Sequence, residues 1–200
     1  MNIFITGTDT DVGKTIVSGW ICMHSNAKYW KPIQTGDESD SKIIQDLSPL
    51  SEILREKYVL NAPLSPYDSA ILENKKINSD NFLKNVPDKT VIEGAGGILV
   101  PISKNFYMAD LIKLTNSKVI IVAKSKLGFL NHIFLTVNEL KSRNIEILGI
   151  VINWDVENNL IETIEKFSGI RVLKAITSLG NIKESLQKIE IPHEILEVLK

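Results

Sequence analysis

The chain has 200 residues, of which 44% are hydrophobic and 24% are charged. These values are typical of a folded globular protein, and the length allows one sizeable core without requiring a second domain. The formal net charge is -1, with lysine and arginine scattered along the chain, which excludes a strong positive field that gathers nucleic acid or coats a membrane. We therefore expect a single domain over residues 1–200 that acts on small molecules.

The cysteine content and the lengths of the apolar runs indicate the cellular compartment in which the protein works. Cys22 is the only cysteine and lies in the run VSGWICM, where a free thiol most often packs in a helix face. One thiol cannot form an intramolecular disulfide, which favours a reducing environment. The short apolar run before Gly7 has no basic leader, and no stretch reaches the roughly 18 apolar residues of a membrane span. These features predict a cytoplasmic protein.

Short apolar, β-branched runs alternate along the chain with longer segments of helical period. The predicted strands are 3–6, 29–33, 90–93, 118–123, 147–153 and 172–176. The predicted helices are 14–23, 40–47, 108–114, 131–142 and 160–167. This alternation is typical of a mostly parallel sheet that helices cover on both faces, so the predicted fold class is α/β.

Two segments lack the regular spacing of hydrophobic residues that is typical of a long helix or strand. Residues 60–88 hold three of the seven prolines and several Asn and Asp residues, which predicts irregular structure around short helices near the site. Residues 181–200 resemble two short helices broken at Pro192. We assign no chemistry to residues 181–200, and the sequence leaves open whether residues 60–88 close over a substrate.

The run GTDTDVGKT near the start is a partial match to the phosphate-binding pattern GxxxxGK(S/T). Gly13, Lys14 and Thr15 match the end of the pattern, whereas Thr8 occupies the place of its first glycine. A β-branched run ends at Gly7 and a helical period begins at Lys14, which is the strand, loop and helix order that phosphate binding requires. The alternative interpretation is a loop whose glycines serve only a tight turn before a helix.

The physical properties of this loop favour a triphosphate. Backbone amides of residues 10 to 15 can converge on phosphate oxygens at the positive end of the following helix, and Gly13 allows a close approach. Lys14 would add a positive charge between the β- and γ-phosphates. Thr15 offers a hydroxyl to Mg²⁺, which takes only a few protein oxygens. The loop therefore predicts a nucleotide site with a magnesium ion.

Charged residues also stand at the ends of two later strands. Glu93 follows the strand run TVI and precedes several glycines, at the carboxyl end where parallel α/β sheets bind ligands, so it is a candidate Mg²⁺ ligand. A glycine-rich turn alone explains the glycines but not the acid. Lys31 and Thr35 lie in KPIQTG, and Asp40 starts a predicted helix. Alone, Lys31 is more often a solvated surface charge, and Asp40 more often a helix N-terminal charge or cap.

Together these motifs resemble the dethiobiotin synthetase family, whose members close the ureido ring in biotin synthesis. The resemblance runs through GTDTDVGKT, KPIQTG, SDSKIIQD, EGAGGILVPIS, ADLIKLTNSKVIIVAKSKLGFLNH and GIVIN, and fades after about residue 180. It implies a P-loop NTPase fold, Mg²⁺, and a homodimer with the substrate site at the subunit interface. It also implies an ATP-dependent carbon-nitrogen cyclo-ligase that converts 7,8-diaminopelargonic acid, CO₂ and ATP into dethiobiotin, ADP and phosphate, via a carbamate and a carbamic-phosphoric anhydride.

Residue by residue, the resemblance implies roles for the motif positions. The implied catalytic residues are Lys31, Lys14, Thr10 and Asp11. The implied nucleotide-binding residues are Asp11, Val12, Gly13, Lys14, Thr15, Ile16, Asp40, Glu93, Gly94, Ala95, Gly96, Asn153, Trp154, Thr177, Ser178 and Leu179. The implied substrate-binding residues are Thr35, Lys31, Gly96, Leu127, Gly128 and Asn131. The implied Mg²⁺ ligands are Thr15, Asp40 and Glu93.

Several of these positions differ from the residue that is usual in the family, or allow a second interpretation. The family often has Glu where Asp11 stands, and a proline-led turn where Thr177 stands. Asn153 matches the family's adenine-reading asparagine, whose amide can both donate and accept, and Trp154 follows it where some relatives carry a polar residue. The run LGFLN resembles a loop that reaches across the dimer and binds the substrate carboxylate with backbone amides. The alternative interpretation of that run is a helix cap by Asn131.

A competing interpretation belongs to a different class of protein. Nucleotide-switched ATPases of the deviant-loop group act on a protein partner, but carry an extra lysine near the start of the loop, where this chain has Gly7, Thr8 and Asp9. A second rival is an amidoligase of cobalamin synthesis, which usually carries a glutaminase domain for which the chain has no room. The residues leave open the selectivity among ATP, CTP and GTP.

Overall fold

The structure is a computed structural model that describes residues 1–82, 86–177 and 180–200. Its strands, in chain order, are β1 (Ile3–Gly7), β2 (Lys28–Trp30), β3 (Ile33–Thr35), β4 (Ile53–Leu54), β5 (Tyr58–Leu60), β6 (Thr90–Gly97), β7 (Pro101–Ser103), β8 (Phe106–Tyr107), β9 (Lys118–Lys124), β10 (Ile147–Asn153) and β11 (Val172–Ile176). Its helices are α1 (Lys14–Ser25), α2 (Asp40–Leu47), α3 (Pro66–Leu72), α4 (Met108–Leu114), α5 (Phe129–Ser142), α6 (Asn158–Ser168), α7 (Ile182–Lys188) and α8 (His193–Val198), with a 3₁₀ helix at Ser79–Phe82.

The central sheet has seven strands in the order β11-β10-β9-β1-β6-β2-β4, and all neighbouring strands pair in parallel. β1 lies in the middle and is buried along its whole length, as expected for a strand with helices on both sides. Ile5 of β1 pairs with Glu93 of β6, and Trp30 of β2 pairs with Ile92. The carboxyl ends of these three strands therefore meet at one edge of the sheet.

Helices cover both faces of this sheet. One face carries α1, α2, α7 and α8, with Trp20 and Leu186 among the buried residues. The other face carries α4, α5 and α6, with Ile133 and Ile164 in its core. The indole of Trp20 donates a hydrogen bond to the carbonyl of Ile189 at 2.9 Å, which ties the C-terminal segment to α1. The predicted α/β fold with a mostly parallel sheet is thus confirmed.

The prediction of a single strand over residues 29–33 is wrong. β2 ends at Trp30 and β3 begins at Ile33, because Pro32 has no N–H for a strand ladder. β2 joins the central sheet, whereas β3 pairs with β5 in a separate two-stranded sheet. Lys31 consequently lies at the point where the chain leaves the edge of the central sheet.

The boundaries of the five predicted helices lie within two residues of the predictions. α2 and α4 begin and end at the predicted residues. α5 begins two residues early, at Phe129, and its N-cap is Gly128, so the interpretation of Asn131 as a helix cap is wrong. The side chain of Ser39 caps α2 by accepting a backbone amide of the first turn, so Asp40 is an N-terminal charge and not the cap.

The segments without a long period contain the short elements that were expected. α3 and the 3₁₀ helix lie within residues 60–88, of which residues 83–85 are outside the described part of the chain. The tail forms α7 and α8, and Pro192 is the N-cap of α8. In the ranges that the structure describes, no helix combines the length and the apolarity that crossing a membrane requires.

Candidate nucleotide site at the carboxyl edge of the sheet

A cluster of buried charges lies where β2 and β6 reach the edge of the sheet. The Nζ atom of Lys31 is 3.0 Å from Oε1 of Glu93 and 2.6 Å from Oδ2 of Asp40. It also donates to the carbonyl of Gly94 at 3.2 Å. The side chains of Lys31 and Glu93 are only 5% and 1% exposed. Charges this deep require partners, and the contacts within the cluster offset part of the cost of removing these groups from water.

Oxygen atoms from three different elements converge beside Lys31. The hydroxyl of Thr15, at the start of α1, lies 2.9 Å from Oδ1 of Asp40 and 2.9 Å from Oε1 of Glu93. One hydroxyl proton can serve only one of these acceptors at a time. Two carboxylates and a hydroxyl form the hard oxygen set that Mg²⁺ takes, with water and phosphate oxygens as its other ligands. The three predicted metal ligands are therefore together, and their chemistry fits a divalent cation.

The two lysines of the site are in different electrostatic situations. Burial alone would lower the pKa of Lys31, but the carboxylates of Glu93 and Asp40 outweigh it and raise that pKa. The pKa of Lys14 is lowered, chiefly because burial disfavours its charged form, and the attraction of Glu93 offsets this only in part. The ammonium of Lys14 donates to the carbonyl of Asp9 at 3.1 Å. Lys14 is therefore the ammonium that an anionic ligand would stabilise most.

The loop before α1 is shaped for a close approach of backbone and ligand. Gly13 is the N-cap of α1 and has a φ of 89°, in the left-handed region that favours glycine. A Cβ at this position would stand 2.3 Å from Nδ2 of Asn153. That Nδ2 atom donates to the carbonyl of Val12 at 2.6 Å. The side chain of Asn153, at the end of β10, thus fixes the loop by a hydrogen bond. The free backbone amides at the start of α1 lie at the positive end of that helix.

A cavity of about 520 Å³ lies over the cluster. Its walls include all four predicted catalytic residues, which are Thr10, Asp11, Lys14 and Lys31. They also include the predicted metal ligands Thr15, Asp40 and Glu93, together with Gly13, Ile16, Thr35, Ala95 and Gly96 from the other predicted groups. The fold therefore brings residues from four separate sequence motifs around one cavity.

A second cavity, of about 180 Å³, lies on the other side of the loop. Its lining residues include Gly13, Ile16, Asn153, Trp154 and Thr177. The Oδ1 atom of Asn153 is buried and has no hydrogen-bond partner among the residues that the structure describes. A buried acceptor without a donor is costly, so this cavity fits a ligand that presents an amino group there. A nucleobase with an exocyclic amine has that property.

Trp154 forms one wall of this second cavity. It has a φ of 71°, which is unusual for a bulky side chain, and it is 43% exposed. The Nζ atom of Lys124 lies 3.9 Å from the ring centroid, in a cation-π contact on one side of the ring. Two predicted base-contacting residues, Ser178 and Leu179, lie outside the described part of the chain.

Three predicted substrate-binding residues do not line either of these two cavities. Leu127, Gly128 and Asn131 form the loop before α5 and its first turn, and none of them lines either cavity in the described ranges. The side chain of Leu127 is fully exposed.

Two contacts at the site were not predicted. The hydroxyl of Tyr29 lies 3.0 Å from Oε2 of Glu93, and its pKa is raised well above the ordinary value, first by burial and then by the charge of Glu93. Lys126 pairs with Asp9 at 2.9 Å. A signal for Tyr29 was present, because residues two apart in a strand share a face and Lys31 follows at that spacing. The pairing of Lys126 depends on tertiary placement and has no local signal.

Comparisons with solved structures define the class of protein. The chain is similar to the MinD cell division protein of Aquifex aeolicus, with a TM-score of 0.57 and 13% identity over 99% of this chain and 94% of that one. It is also similar to a ParA family ATPase of Chlorobium tepidum, with a TM-score of 0.55 and 12% identity over 98% and 90%. Identities this low show a shared fold alone, which with the phosphate loop is that of the P-loop NTPases.

Comparisons of sequence narrow this class to a family. A family model described as an AAA domain matches residues 1–185. The ATP-dependent dethiobiotin synthetase BioD of Paramagnetospirillum magneticum is 42% identical over 88% of each chain. The protein of the same name from Lawsonia intracellularis is 39% identical over 99% of this chain and 98% of its own. The chain therefore belongs to the dethiobiotin synthetase family, and it is an enzyme of the ligase class.

Replacing Gly13 with alanine tests the loop geometry. The new Cβ would displace the side-chain amide of Asn153 and open the loop, so Gly13→Ala should weaken ADP binding by roughly tenfold or more, measured by calorimetry. Gly128→Ala is the matched control, because Gly128 also caps a helix with a φ of 89° but has nothing within 4 Å of the added Cβ. ADP binding that stays normal in Gly13→Ala, or falls equally in both variants, would contradict this geometry.

Proposed function

We propose that the protein catalyses the ATP- and Mg²⁺-dependent carboxylation and ring closure of 7,8-diaminopelargonic acid, with dethiobiotin, ADP and phosphate as products. Membership of the dethiobiotin synthetase family supports the choice of substrates. The observation that carries the proposal is the buried ammonium of Lys31, which lies beside the phosphate loop in the same cavity as Lys14. Two positive groups in one cavity suit a reaction between a triphosphate and a second anion.

The proposed reaction has three steps. One amine of the diamine takes up CO₂ and becomes a carbamate, with loss of a proton. A carbamate oxygen then attacks the γ-phosphorus of ATP and releases ADP, which gives a carbamic-phosphoric anhydride. The second amine attacks the carbonyl carbon of this anhydride, the ring closes, and phosphate leaves. The second step brings an anionic carbamate against an anionic triphosphate, so the enzyme must reduce the repulsion between these two groups.

Positive charge and positioning would supply most of the catalysis. Lys14 and the amides at the start of α1 would bind the β- and γ-phosphates. Lys31 would neutralise the carbamate and the phosphoryl oxygens as the two approach. Thr15, Asp40 and Glu93 would hold Mg²⁺, which when bound supplies further positive charge to the phosphate oxygens.

The remaining predicted residues of the cavity would orient the diamine. Thr10 and Thr35 line the cavity and carry hydroxyls that can bond to amines. Asp11 lies at the cavity wall with an exposed carboxylate, which suits it to hold an amine or to accept a proton. Asp11 and a neighbouring carboxylate are alternative acceptors of the proton that is released as an amine attacks.

The second cavity would bind the nucleobase. The Nδ2 atom of Asn153 already donates to the backbone of the loop, so Oδ1 is the atom left to read the base. An acceptor in that position selects the 6-amino group of adenine or the 4-amino group of cytosine, where guanine has a carbonyl oxygen at C6. Trp154 and Thr177 would then contact the flat base as cavity walls. We therefore propose ATP as the co-substrate and GTP as a poor one.

We also propose a homodimer in which each chain completes the partner's substrate site. Leu127 and Gly128 line neither of the two cavities described above, and the backbone amides at the start of α5 suit a carboxylate. The side chains of Leu99, Leu127 and Leu135 are all more than half exposed, as is typical of a surface that another chain covers. The expected cytoplasmic location belongs to the same proposal.

A turnover assay tests the proposed reaction against a nucleotide switch. We expect phosphate release from ATP only when both 7,8-diaminopelargonic acid and bicarbonate are present, with one dethiobiotin formed for each phosphate. A switch ATPase would hydrolyse ATP slowly without either compound. Parallel assays with CTP and GTP measure the base selectivity. Phosphate release that ignores the diamine would contradict the proposal.

Replacing Lys31 with glutamine tests the role of the buried ammonium. Lys31→Gln should lower the diamine-dependent rate by about a hundredfold or more, because it removes a preorganised charge at the reacting groups. ADP binding measures whether the variant keeps its nucleotide site. Lys28→Gln is the matched control, since Lys28 lies three residues earlier, at the start of β2, but pairs with Glu52 at the surface, 2.6 Å away. An unchanged rate in Lys31→Gln would remove this residue from the mechanism.

A further inference from the structure

Tyr29 is a buried polar residue that the proposed mechanism does not use. Its side chain is completely buried, and its hydroxyl lies 3.0 Å from Oε2 of Glu93. The other oxygen of the same carboxylate, Oε1, is 2.9 Å from the hydroxyl of Thr15 and 3.0 Å from Nζ of Lys31. The two oxygens of Glu93 therefore have separate partners, one in the core and one at the cavity.

Strand register explains how Tyr29 reaches this carboxylate. Tyr29 of β2 pairs with Val91 of β6, and Glu93 lies two residues beyond Val91 on the same face of the sheet. The ring of Tyr29 packs in the core on the α1 side, with Trp20 and Ile44 in the same cluster. A ring that is held on all sides has little freedom to turn, so the hydroxyl has a fixed position beneath the carboxylate.

Fixing one oxygen of a carboxylate fixes the direction of the other. Without a donor at Oε2, the buried carboxylate of Glu93 could turn so that both of its oxygens face the ammonium of Lys31, which already contacts Oε1. The hydrogen bond from Tyr29 opposes this rotation and keeps Oε1 beside the hydroxyl of Thr15. A charge-assisted hydrogen bond in a buried site is strong enough to select one orientation.

We propose that Tyr29 is a positioning residue that orients Glu93 towards the divalent cation of the bound nucleotide. The inference rests on the proposed function only in giving Glu93 a cation to bind. Partners that hold a metal-ligating carboxylate commonly change metal affinity by about tenfold to a hundredfold when they are removed. Tyr29 does not touch the substrates, so its effect must pass through Glu93.

Cation binding to the complex with ADP is the direct test. Mn²⁺ replaces Mg²⁺ as the probe, because the signal of free Mn²⁺ in electron paramagnetic resonance falls when the ion binds. Tyr29→Phe removes only the hydroxyl, and we expect the dissociation constant of Mn²⁺ to rise about tenfold. The affinity for ADP without a divalent cation should stay unchanged. In turnover, the Mg²⁺ concentration at half-saturation should rise while kcat at saturating Mg²⁺ changes little.

Two further variants separate orientation from general loss of stability. Tyr58→Phe is the matched control, because the hydroxyl of Tyr58 accepts the amide of Asn78 at 2.9 Å, away from the cluster. It should leave Mn²⁺ binding unchanged. In a Glu93→Gln background, the further change Tyr29→Phe should add no loss of Mn²⁺ affinity, since the group that Tyr29 orients is already altered.

The possible outcomes separate this inference from the proposed reaction. Mn²⁺ binding that is unchanged in Tyr29→Phe, or that falls equally in Tyr58→Phe, overturns the role of Tyr29. The same holds if the losses from Tyr29→Phe and Glu93→Gln simply add. A protein that loses Mn²⁺ affinity as expected in Tyr29→Phe but forms no dethiobiotin supports the role of Tyr29 and overturns the proposed reaction instead.

Discussion

The buried ion pair between Lys31 and Glu93 is the contact on which the other groups of the site depend. Removing two charges from water costs on the order of several kcal/mol for each ion, and their attraction repays this only with good geometry and further hydrogen bonds. Asp40, Thr15 and Tyr29 supply those further contacts. Such a cluster adds little to the free energy of unfolding. It does hold opposite charges at fixed positions, whereas solvated side chains would move among many. Fixed charges are what phosphoryl transfer requires.

The fold supplies this cluster from three adjacent strands. β1 leads into the phosphate loop, β6 carries Glu93, and β2 ends just before Lys31, and these strands are neighbours in the sheet. Pro32 interrupts the ladder after β2 and directs the chain towards β3, where Thr35 and then Asp40 face the same cavity. The parallel arrangement therefore collects groups that are up to about 80 residues apart in sequence at one edge.

Much of this arrangement was predictable because its signals are local. The longer strands and helices have clear periods, and the phosphate loop has its own spacing between a strand and a helix. The break at Pro32 also had a local signal, since proline is rare inside a central strand, and the prediction did not use it. The pairs β3 with β5 and β7 with β8 have only two or three residues a strand, which is too short for a period. The contact of Tyr29 with Glu93 depends on the register between two strands, and the role that we propose for Leu127 depends on a second chain.

The most direct test is a crystal structure with a non-hydrolysable ATP analogue, Mg²⁺ and 7,8-diaminopelargonic acid bound together in the presence of bicarbonate. We expect a carbamate oxygen and the γ-phosphorus to meet between Lys14 and Lys31, about 3 to 3.5 Å apart. Thr15, Asp40 and Glu93 should face the metal. Nucleotide and diamine in separate cavities, or Thr15 and Glu93 turned away from the metal, would contradict the central claim.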